Sequence, residues 1–464
     1  MQTKFVETNF TDASINSLVL NAASTLGVAP SRKWNCIDQN DNLQLFHYNS
    51  DITPEGEVAK VRGLVYDPKE QVLVARSYSA TPTVKTSAIA LDTEGNLSFT
   101  DTDGVEHTLP KDGFYFKLGF EGTIMRVYKH AGKVYHSSHK RLDTSRSHWG
   151  NSPTFETIYN ELGGPADEVL FDSLKDYSPY CHIFLMVHPK LLLSSLQNVG
   201  SGYLVYLGAV KMWEGKYEED KVDTELRTFA TVSELPSKLS EADKFILSPP
   251  EITLEQANQH LEKGWYGEGG EFVIVYAREH KGGEMPRLFK FASVQYEKRL
   301  SVRNNDPSTY HRFVELSSQA SGMNRDLFRS VYSAPEKTTL VQRYEIVLEH
   351  YIKHLPLSMR EEALGFVDRF VQDRKDLAYW LTGLACNNVQ YASLSGYKKI
   401  PQRIFALINP YQKQRKSIKV VNSEINEALI YEPGVSIYKM LRFMKTWKHH
   451  DEKRRNPVPQ PKKE

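Results

Sequence analysis

An α+β fold is predicted by three features of the 464-residue sequence. Residues up to about 300 alternate in short apolar and polar runs, broken by glycine and polar turns, as antiparallel sheets do. Beyond about Asp306 the apolar spacing becomes that of helices. Hydrophobic residues make up 40%, aromatics 11% and charged residues 25%, which is enough bulk for ordinary packed cores and excludes a wholly disordered chain. The length suggests two or three domains.

The strand-rich part is read in order. Val58–Tyr66 alternates in part. Gly113–Lys117, Thr123–Tyr128 and Lys133–His136 are short strand-like runs between turns. Thr154–Leu162 is expected to be helical. Ile183–Val187, Tyr203–Val210, Glu271–Tyr276 and Arg287–Phe291 are further strands. In the helical part, Thr339–Leu355 sets Leu340, Tyr344, Val347, Leu348, Tyr351 and Leu355 at helical spacing. Ser358-Met359-Arg360-Glu361 has the pattern of a capping box and predicts a helix over Glu362–Val371. The end, with Pro457, Pro459, Pro461, Lys462 and Lys463, is expected to be a disordered basic tail over 451–464. No internal repeat is found.

Composition excludes several functions. No apolar run approaches the roughly 18 residues needed to span a bilayer. Met1-Gln2-Thr3-Lys4-Phe5 soon meets Glu7 and Asp12, without a signal-peptide apolar region. Cys36, Cys181 and Cys386 are far apart and odd in number, which argues against a disulfide framework or a cysteine zinc site. A reducing, intracellular (cytoplasmic) setting without a membrane is expected.

Net charge is +1, but it is unevenly spread. Residues 398–464 carry 16 Lys+Arg against 6 Asp+Glu, a local +10 that leaves −9 for residues 1–397. Lys398, Lys399, Arg403, Lys413, Arg415, Lys416 and Lys419 form a run with no acidic residue, interleaved by Phe405 and Tyr411. That pattern suits a polyanion such as RNA. A solvated basic face over core aromatics is the plainer alternative.

Other groupings point to packing rather than chemistry. His130, His136, His139 and His148 cluster in sequence but share no helix face, so partly exposed turn histidines are expected rather than a metal site. His449-His450 reads the same way. Residues 264–270 are glycine-rich but lack the Gly-Lys-Ser/Thr ending of a P-loop. Trp149 is expected to pack between the body and a helix rather than to stack on a base.

Four segments, in order, resemble the motif series of ATP-dependent RNA ligases, in the branch of bacteriophage RNA ligase 1 and its relatives in large DNA viruses. They are Val61-Arg62-Gly63-Leu64-Val65-Tyr66-Asp67; Gly119-Phe120-Glu121-Gly122-Thr123-Ile124-Met125-Arg126-Val127 with its continuation through Lys133–Asp143; His182–Pro189; and Gly270–Val275 with Leu288–Ser293. The resemblance implies a nucleotidyltransferase domain of antiparallel sheets with flanking helices over 1–305. It covers roughly residues 30–305; the all-α domain expected over 306–450 rests on the helical spacing instead. It also implies ATP and Mg²⁺ as cofactors if the protein is active, RNA as a partner, and a phage or viral setting.

The family reaction needs a lysine that attacks the α-phosphate of ATP, with its pKa lowered by cationic or metal neighbours. Aligned on Lys-x-Glu-Gly, the nucleophile position of this chain is Gly119, which has no side chain to react. The carboxylate of the third segment falls on Leu185. The metal-side glutamate falls on Gly270, with Glu271 one place late; Ala292 replaces the second lysine of the last segment. Arg62, Glu121, Arg126 and Lys290 remain as nucleotide-binding candidates, and Glu271 as a weak metal candidate. Lys117, two residues before Gly119, lies on the same strand face roughly 6–7 Å away, and is the one alternative nucleophile. The expectation is therefore a degenerate ligase-like protein that binds RNA or nucleotide or acts in assembly. Its rivals are an active ligase through Lys117 and a structural component without a nucleic-acid role. The reading requires strands 114–119 and 271–276 to lie side by side.

Overall fold

The computed structural model describes residues 33–49, 54, 56–70, 72–171, 180–211, 226–227, 245–246, 249–264, 271–277, 287–386, 400–401, 404 and 418–455. The chain divides into two compact units, Met1–Leu300 and Ser301–Glu464.

The first unit opens with an antiparallel meander of β1 (Trp34–Gln39), β2 (Gln44–Tyr48), β3 (Arg62–Asp67) and β4 (Val72–Ala75). Part of the expected Val58 strand is instead a short helix, α1 (Gly56–Lys60), and β3 begins only at Arg62. β5 (Thr83–Thr86) and the hairpin of β6 (Leu97–Thr100) and β7 (Glu106–Leu109) follow.

Two larger sheets carry the rest. One runs β15–β8–β16–β17–β5, with β8 (Phe114–Leu118), β15 (Glu251–Ile252), β16 (Phe272–Ala277) and β17 (Arg287–Ser293); β5 joins it in parallel. The other runs β10–β9–β11–β12–β13, with β9 (Thr123–His130), β10 (Lys133–Ser137), β11 (Tyr180–Val187), β12 (Tyr203–Lys211) and β13 (Leu226–Arg227). The short β14 (Phe245–Ile246) pairs with β12 in parallel.

Local chemistry explains these elements. In β8, Phe114, Phe116 and Leu118 are buried and Tyr115 and Lys117 half-buried, a period of two. β9 and β10 are joined at Ala131 and Gly132, both at positive φ, as a two-residue hairpin turn requires. β11 is buried at every position because it is central and covered on both faces.

Helices α2 (Phe155–Glu161, capped by Thr154) and α3 (Asp167–Phe171) cover one face of the β9–β11–β12 sheet. Phe155, Ile158, Tyr159, Leu170 and Phe171 meet Met125, Phe184, Met186 and Tyr206 there, and Trp149 packs against the same core. Helix α4 (Leu254–Lys263) opens with a Thr253/Gln256 capping box and packs Ala257 and Leu261 onto Phe116, Val273, Val275 and Phe291. Between the two larger sheets lie Leu118, Phe120, Leu185, Val187 and Val205. α5 (Val294–Arg303) follows β17 directly.

The second unit is helical: α6 (Thr309–Gly322), α7 (Arg325–Tyr332), α8 (Leu340–Ile352), α9 (Leu357–Ala363), α10 (Phe366–Cys386), α11 (Ile418–Ile430) and α12 (Gly434–Arg455). Ser308, Asn324 and Thr339 cap α6, α7 and α8 by accepting from backbone N–H groups. The expected helix start at Ser358 is corrected. Ser358 lies inside α9, which begins after Pro356 without a side-chain cap, and a separate helix starts at Phe366. Phe366, Phe370, Leu377, Leu381 and Leu384 form the buried stripe of α10. Each such side chain contributes roughly 1.5–3 kcal/mol. Gly434 meets the backbone of α6, where a Cβ would overlap Glu315. α12 stays helical to Arg455, so residues 451–455 of the expected tail are helix; 456–464 lie outside the described residues. Among the described residues no helix is long and apolar enough to cross a membrane.

Candidate functional site

The segments singled out in the sequence meet on three adjacent strands. β8 and β16 pair antiparallel from Val273↔Leu118 to Ala277↔Phe114, and β16 pairs with β17 from Phe272↔Ala292 to Ala277↔Arg287. The side-by-side placement of strands 114–119 and 271–276 is thus met. Lys117, Ile274 and Lys290 form one row, with directly opposed side chains on one face. Two strand spacings separate the lysine backbones by roughly 9–10 Å.

Position 119 has no room for a side chain. Continuing the register sets Gly119 beside Phe272. A Cβ on Gly119 would overlap the Phe272 ring and lie 2.6 Å from the Phe272 carbonyl oxygen. Phe272, Ala292 and Tyr296 make one buried cluster, with Ile274 and Leu300 packed against it. The Phe272 and Tyr296 rings lie 5.1 Å apart. An aromatic plug therefore fills the space beside Gly119.

Lys290 is held from several sides. Its ammonium lies 4.2 Å from the Tyr296 ring centroid, 4.7 Å from that of Phe272 and 3.9 Å from the Glu297 carboxylate. Burial lowers its pKa, while Glu297, Glu121 and Glu271 pull the other way. Lys117 lies 5.3 Å from the Tyr276 ring and 5.8 Å from that of Tyr115, and Glu251 is its Cα partner on β15. Burial lowers its pKa too, against the opposing effect of Glu251.

Glu121 faces inward. Its carboxylate accepts from the backbone N–H of Leu193 (2.8 Å), Ser194 (3.1 Å) and Ser195 (2.6 Å). Glu271 accepts from Leu196 N–H (3.1 Å) and from the Arg299 guanidinium (3.3 Å). Arg299 also donates to the Ser194 carbonyl at 2.9 Å. Glu271, the weak metal candidate of the sequence, thus has Arg299 as its neighbouring cation. Among the described residues no three His, Cys, Asp or Glu side chains gather to hold a metal. Burial, reinforced by Glu121 and opposed by Arg299, raises the Glu271 pKa to about 8. Glu121 is raised as well, by burial, against the pull of Lys290 and the loop N–H groups.

Arg126, a nucleotide-binding candidate of the sequence, lies inside the fold. It is 0% exposed and donates to the carbonyls of Gly63 and, at 2.6 Å, Ser138. Arg62 donates to the Ser79 carbonyl at 3.1 Å, and burial lowers its pKa, opposed by Tyr48 and aided by Arg126. Of the basic run, Lys419 is exposed near the start of α11; Lys398, Lys399, Arg403, Lys413, Arg415 and Lys416 lie outside the described residues. Residues 265–270 lie outside them too. The sequence histidines were expected in turns, but His130 ends β9 and pairs with Asp67 at 2.7 Å, and His136 lies on β10 and pairs with Asp167 at 2.8 Å, while His148 bonds the Gly150 carbonyl at 2.7 Å and His139 Nε2 is buried. The side chains of His449 and His450 are not among those described.

Phe272, Arg299 and the 193–196 loop were not flagged by the sequence. Phe272 follows a motif residue and reads as an ordinary strand aromatic. Arg299 follows Tyr296 by one helical turn, and that spacing is the only sign that both face the same sheet.

No family model matches the sequence, and no curated protein matches it. Solved structures similar to it include a putative ATP-dependent DNA ligase from Aquifex aeolicus, at 11% identity and a TM-score of 0.37, covering 77% of this chain and 79% of that one. An archaeal ATP-dependent RNA ligase is similar in two forms. The first has 12% identity and a TM-score of 0.34, covering 76% of each chain. The second has 12% identity and a TM-score of 0.33, covering 78% of this chain and 79% of that one. These values do not place the chain in a family.

Proposed function

We propose that this protein is a ligase-like nucleotidyltransferase relative that forms no lysyl-AMP at position 119 and works by binding RNA or nucleotide. One observation carries the reading: the Phe272 ring and carbonyl occupy the space that any side chain at 119 needs. The positions that resemble catalytic motifs are turned to internal work. Glu121 and Glu271 hold the 193–196 loop, and Lys290 is enclosed by Phe272, Tyr296 and Glu297. The residues present therefore do not fit a covalent nucleotide at Gly119, and no step is routed through ATP or Mg²⁺. Binding would rest on Arg62 and on the basic run from Lys398.

The deciding experiment is incubation with radiolabelled ATP at several pH values and with several divalent metals. No covalent AMP is expected. An adduct mapped to Lys117 would establish the active ligase instead. That second reading has one observation in its favour: Lys117 shares the strand face of Gly119 and has a lowered pKa. RNA retention that falls steeply with salt supports phosphate contacts. Absence of retention at low salt favours a structural component.

A further inference from the structure

We infer that residues 456–463 of one copy, the segment that follows α12, dock in a groove on the helical unit of another copy. The inference concerns the second unit alone. It needs neither the ligase resemblance nor the closure at Gly119.

The groove holds about 550 Å³ and lies where the end of α6, the start of α7 and the turn between α11 and α12 meet. Gly434 sets that turn against α6, since a Cβ there would lie 2.3 Å from the Glu315 Cα. At Gly322, the last residue of α6, a Cβ would meet open space. The walls are apolar, with Met323 and Leu327 from one helix pair and Tyr431 and Pro433 from the turn. Leu327 is 49% and Tyr431 64% exposed. Val331, one turn along α7, and Val435, in the first turn of α12, are exposed as well. Large apolar side chains gathered around one hollow mark a contact surface, where single ones would not.

Polar groups in the groove set the sign of the ligand. Ser318 lines it, is 6% exposed, and its hydroxyl has no hydrogen-bond partner among the described residues. A buried polar group in that state is costly until something bonds it. Among the described residues that line the groove, only Glu432 carries charge. The last turn of α6 lines it too and brings the negative, carbonyl pole of that helix. That pole already takes one cation: Arg343 donates to the carbonyls of Ala320 (3.0 Å) and Met323 (2.8 Å). An anion is therefore disfavoured, and a purely apolar ligand leaves Ser318 unbonded. An ammonium on an aliphatic stem meets both demands. The stem lies along the apolar walls, and three donors without an acceptor suit a hydroxyl and a carboxylate.

The chain itself supplies such an occupant. After α12 come Asn456-Pro457-Val458-Pro459-Gln460-Pro461-Lys462-Lys463. Val458 and the prolines match the walls, and the two lysines match the acceptors. Proline also limits the entropy lost on docking in an extended form, which is why proline-rich segments suit aromatic-lined grooves. The groove adjoins the start of α12, and the 22 residues of that helix carry the chain about 33 Å away. From Arg455 to Lys463 an extended proline-rich segment spans about 25 Å. It falls short of the groove on its own copy, so the occupant comes from another. Groove and segment are different surfaces, so the contact is head-to-tail and continues into a ring or an open chain.

Sedimentation velocity on the full chain over a concentration series tests this. Association that grows with concentration is expected. Lys462→Glu combined with Lys463→Glu leaves every described helix untouched, and Leu327→Lys changes a half-exposed position. Each should raise the concentration needed for association about tenfold or more, the loss expected for a charge-assisted contact. An amide-capped, fluorescently labelled peptide of residues 456–463, added to the full-chain double lysine variant, isolates the contact. Anisotropy should show binding, weakened about tenfold or more by glutamates in the peptide or by Leu327→Lys in the receptor. A full chain that stays monomeric overturns the proposal, as does association that survives either change. Peptide binding that is indifferent to the two lysines overturns it as well. None of these results bears on adenylation or RNA retention, which test the earlier reading.

Discussion

Glu121 and Glu271 accept, between them, four consecutive backbone N–H groups, from Leu193 to Leu196. Such a row of amides is an anion receptor in its own right. Here its acceptors are two carboxyl groups supplied from within the chain.

Glu121→Ala should therefore destabilise the first unit strongly. It leaves buried N–H groups of Leu193, Ser194 and Ser195 without acceptors, at about 1–3 kcal/mol each. The cost is limited because an isolated buried carboxylate is itself unfavourable, so a net loss of about 3–5 kcal/mol is expected. Urea denaturation measures it. A loss below about 1 kcal/mol would show that the loop is held by other means.

Gly119→Lys tests the plug. Alone, it forces the Phe272 ring and carbonyl aside and should cost more than about 3 kcal/mol, beyond ordinary overpacking. Phe272→Ala alone opens a cavity at about 3–5 kcal/mol. The double variant should cost clearly less than the sum of the two, because each change relieves the other. Additive losses in a denaturation cycle would mean that Phe272 is not what closes position 119.

The strands that frame this site were legible because β8 and β17 are short apolar runs broken by a lysine and β16 is a continuous apolar run, each beside polar or glycine-bearing segments, and α8 because its apolar residues recur at helical spacing. The five residues of α1 are too few to show a helical period, so Val58 to Lys60 read as part of the strand that follows. At α9 the opening residue is Pro356, which sets φ without offering a side-chain acceptor, while Ser358 carried the misleading capping pattern. The aromatic plug was not legible. The proximity of Phe272 to Gly119 depends on strand pairing across about 150 residues, and local pattern says nothing of it. The same holds for Arg299 meeting Glu271 from a following helix.

Arg126→Met removes donors to two buried carbonyls that join β3 to the turn after β10. Unpaired carbonyls cost about 1–3 kcal/mol each, partly offset by loss of a buried charge. A loss of about 2–4 kcal/mol in urea unfolding is expected, with Arg126→Lys recovering only part of it, since one ammonium cannot reproduce the planar fork. Full recovery by lysine would show that charge, rather than the two-carbonyl bridge, is what matters.

Replacing Lys398, Lys399, Arg403, Lys413, Arg415, Lys416 and Lys419 by glutamine should flatten the salt dependence of RNA retention. For single strands the log–log slope falls by about 0.7 for each phosphate contact removed. Filter binding between low and moderate salt reads this directly. An unchanged slope would place the phosphate contacts elsewhere in the chain.

Glu271 should make stability fall as pH rises. Its carboxyl titrates near 4.5 in an unstructured chain and at about 8 when folded, because burial and the neighbouring Glu121 disfavour the anion more than Arg299 supports it. Between those values the folded state binds more protons than the unfolded one, so raising the pH drains stability. The contribution is fully present below pH 4.5 and lost by the time the folded group has ionised, a difference of a few kcal/mol. Glu271→Gln keeps an acceptor for Leu196 and Arg299 but cannot ionise. The variant should match the wild type at pH 5 and exceed it at pH 8.5 in urea unfolding. A residual slope of the same sign should persist in the variant, because Glu121 is also raised by burial and takes up protons on folding. A wild type that gains stability over the variant as pH rises would mean that Arg299 dominates, and that Glu271 is an ordinary buried ion pair.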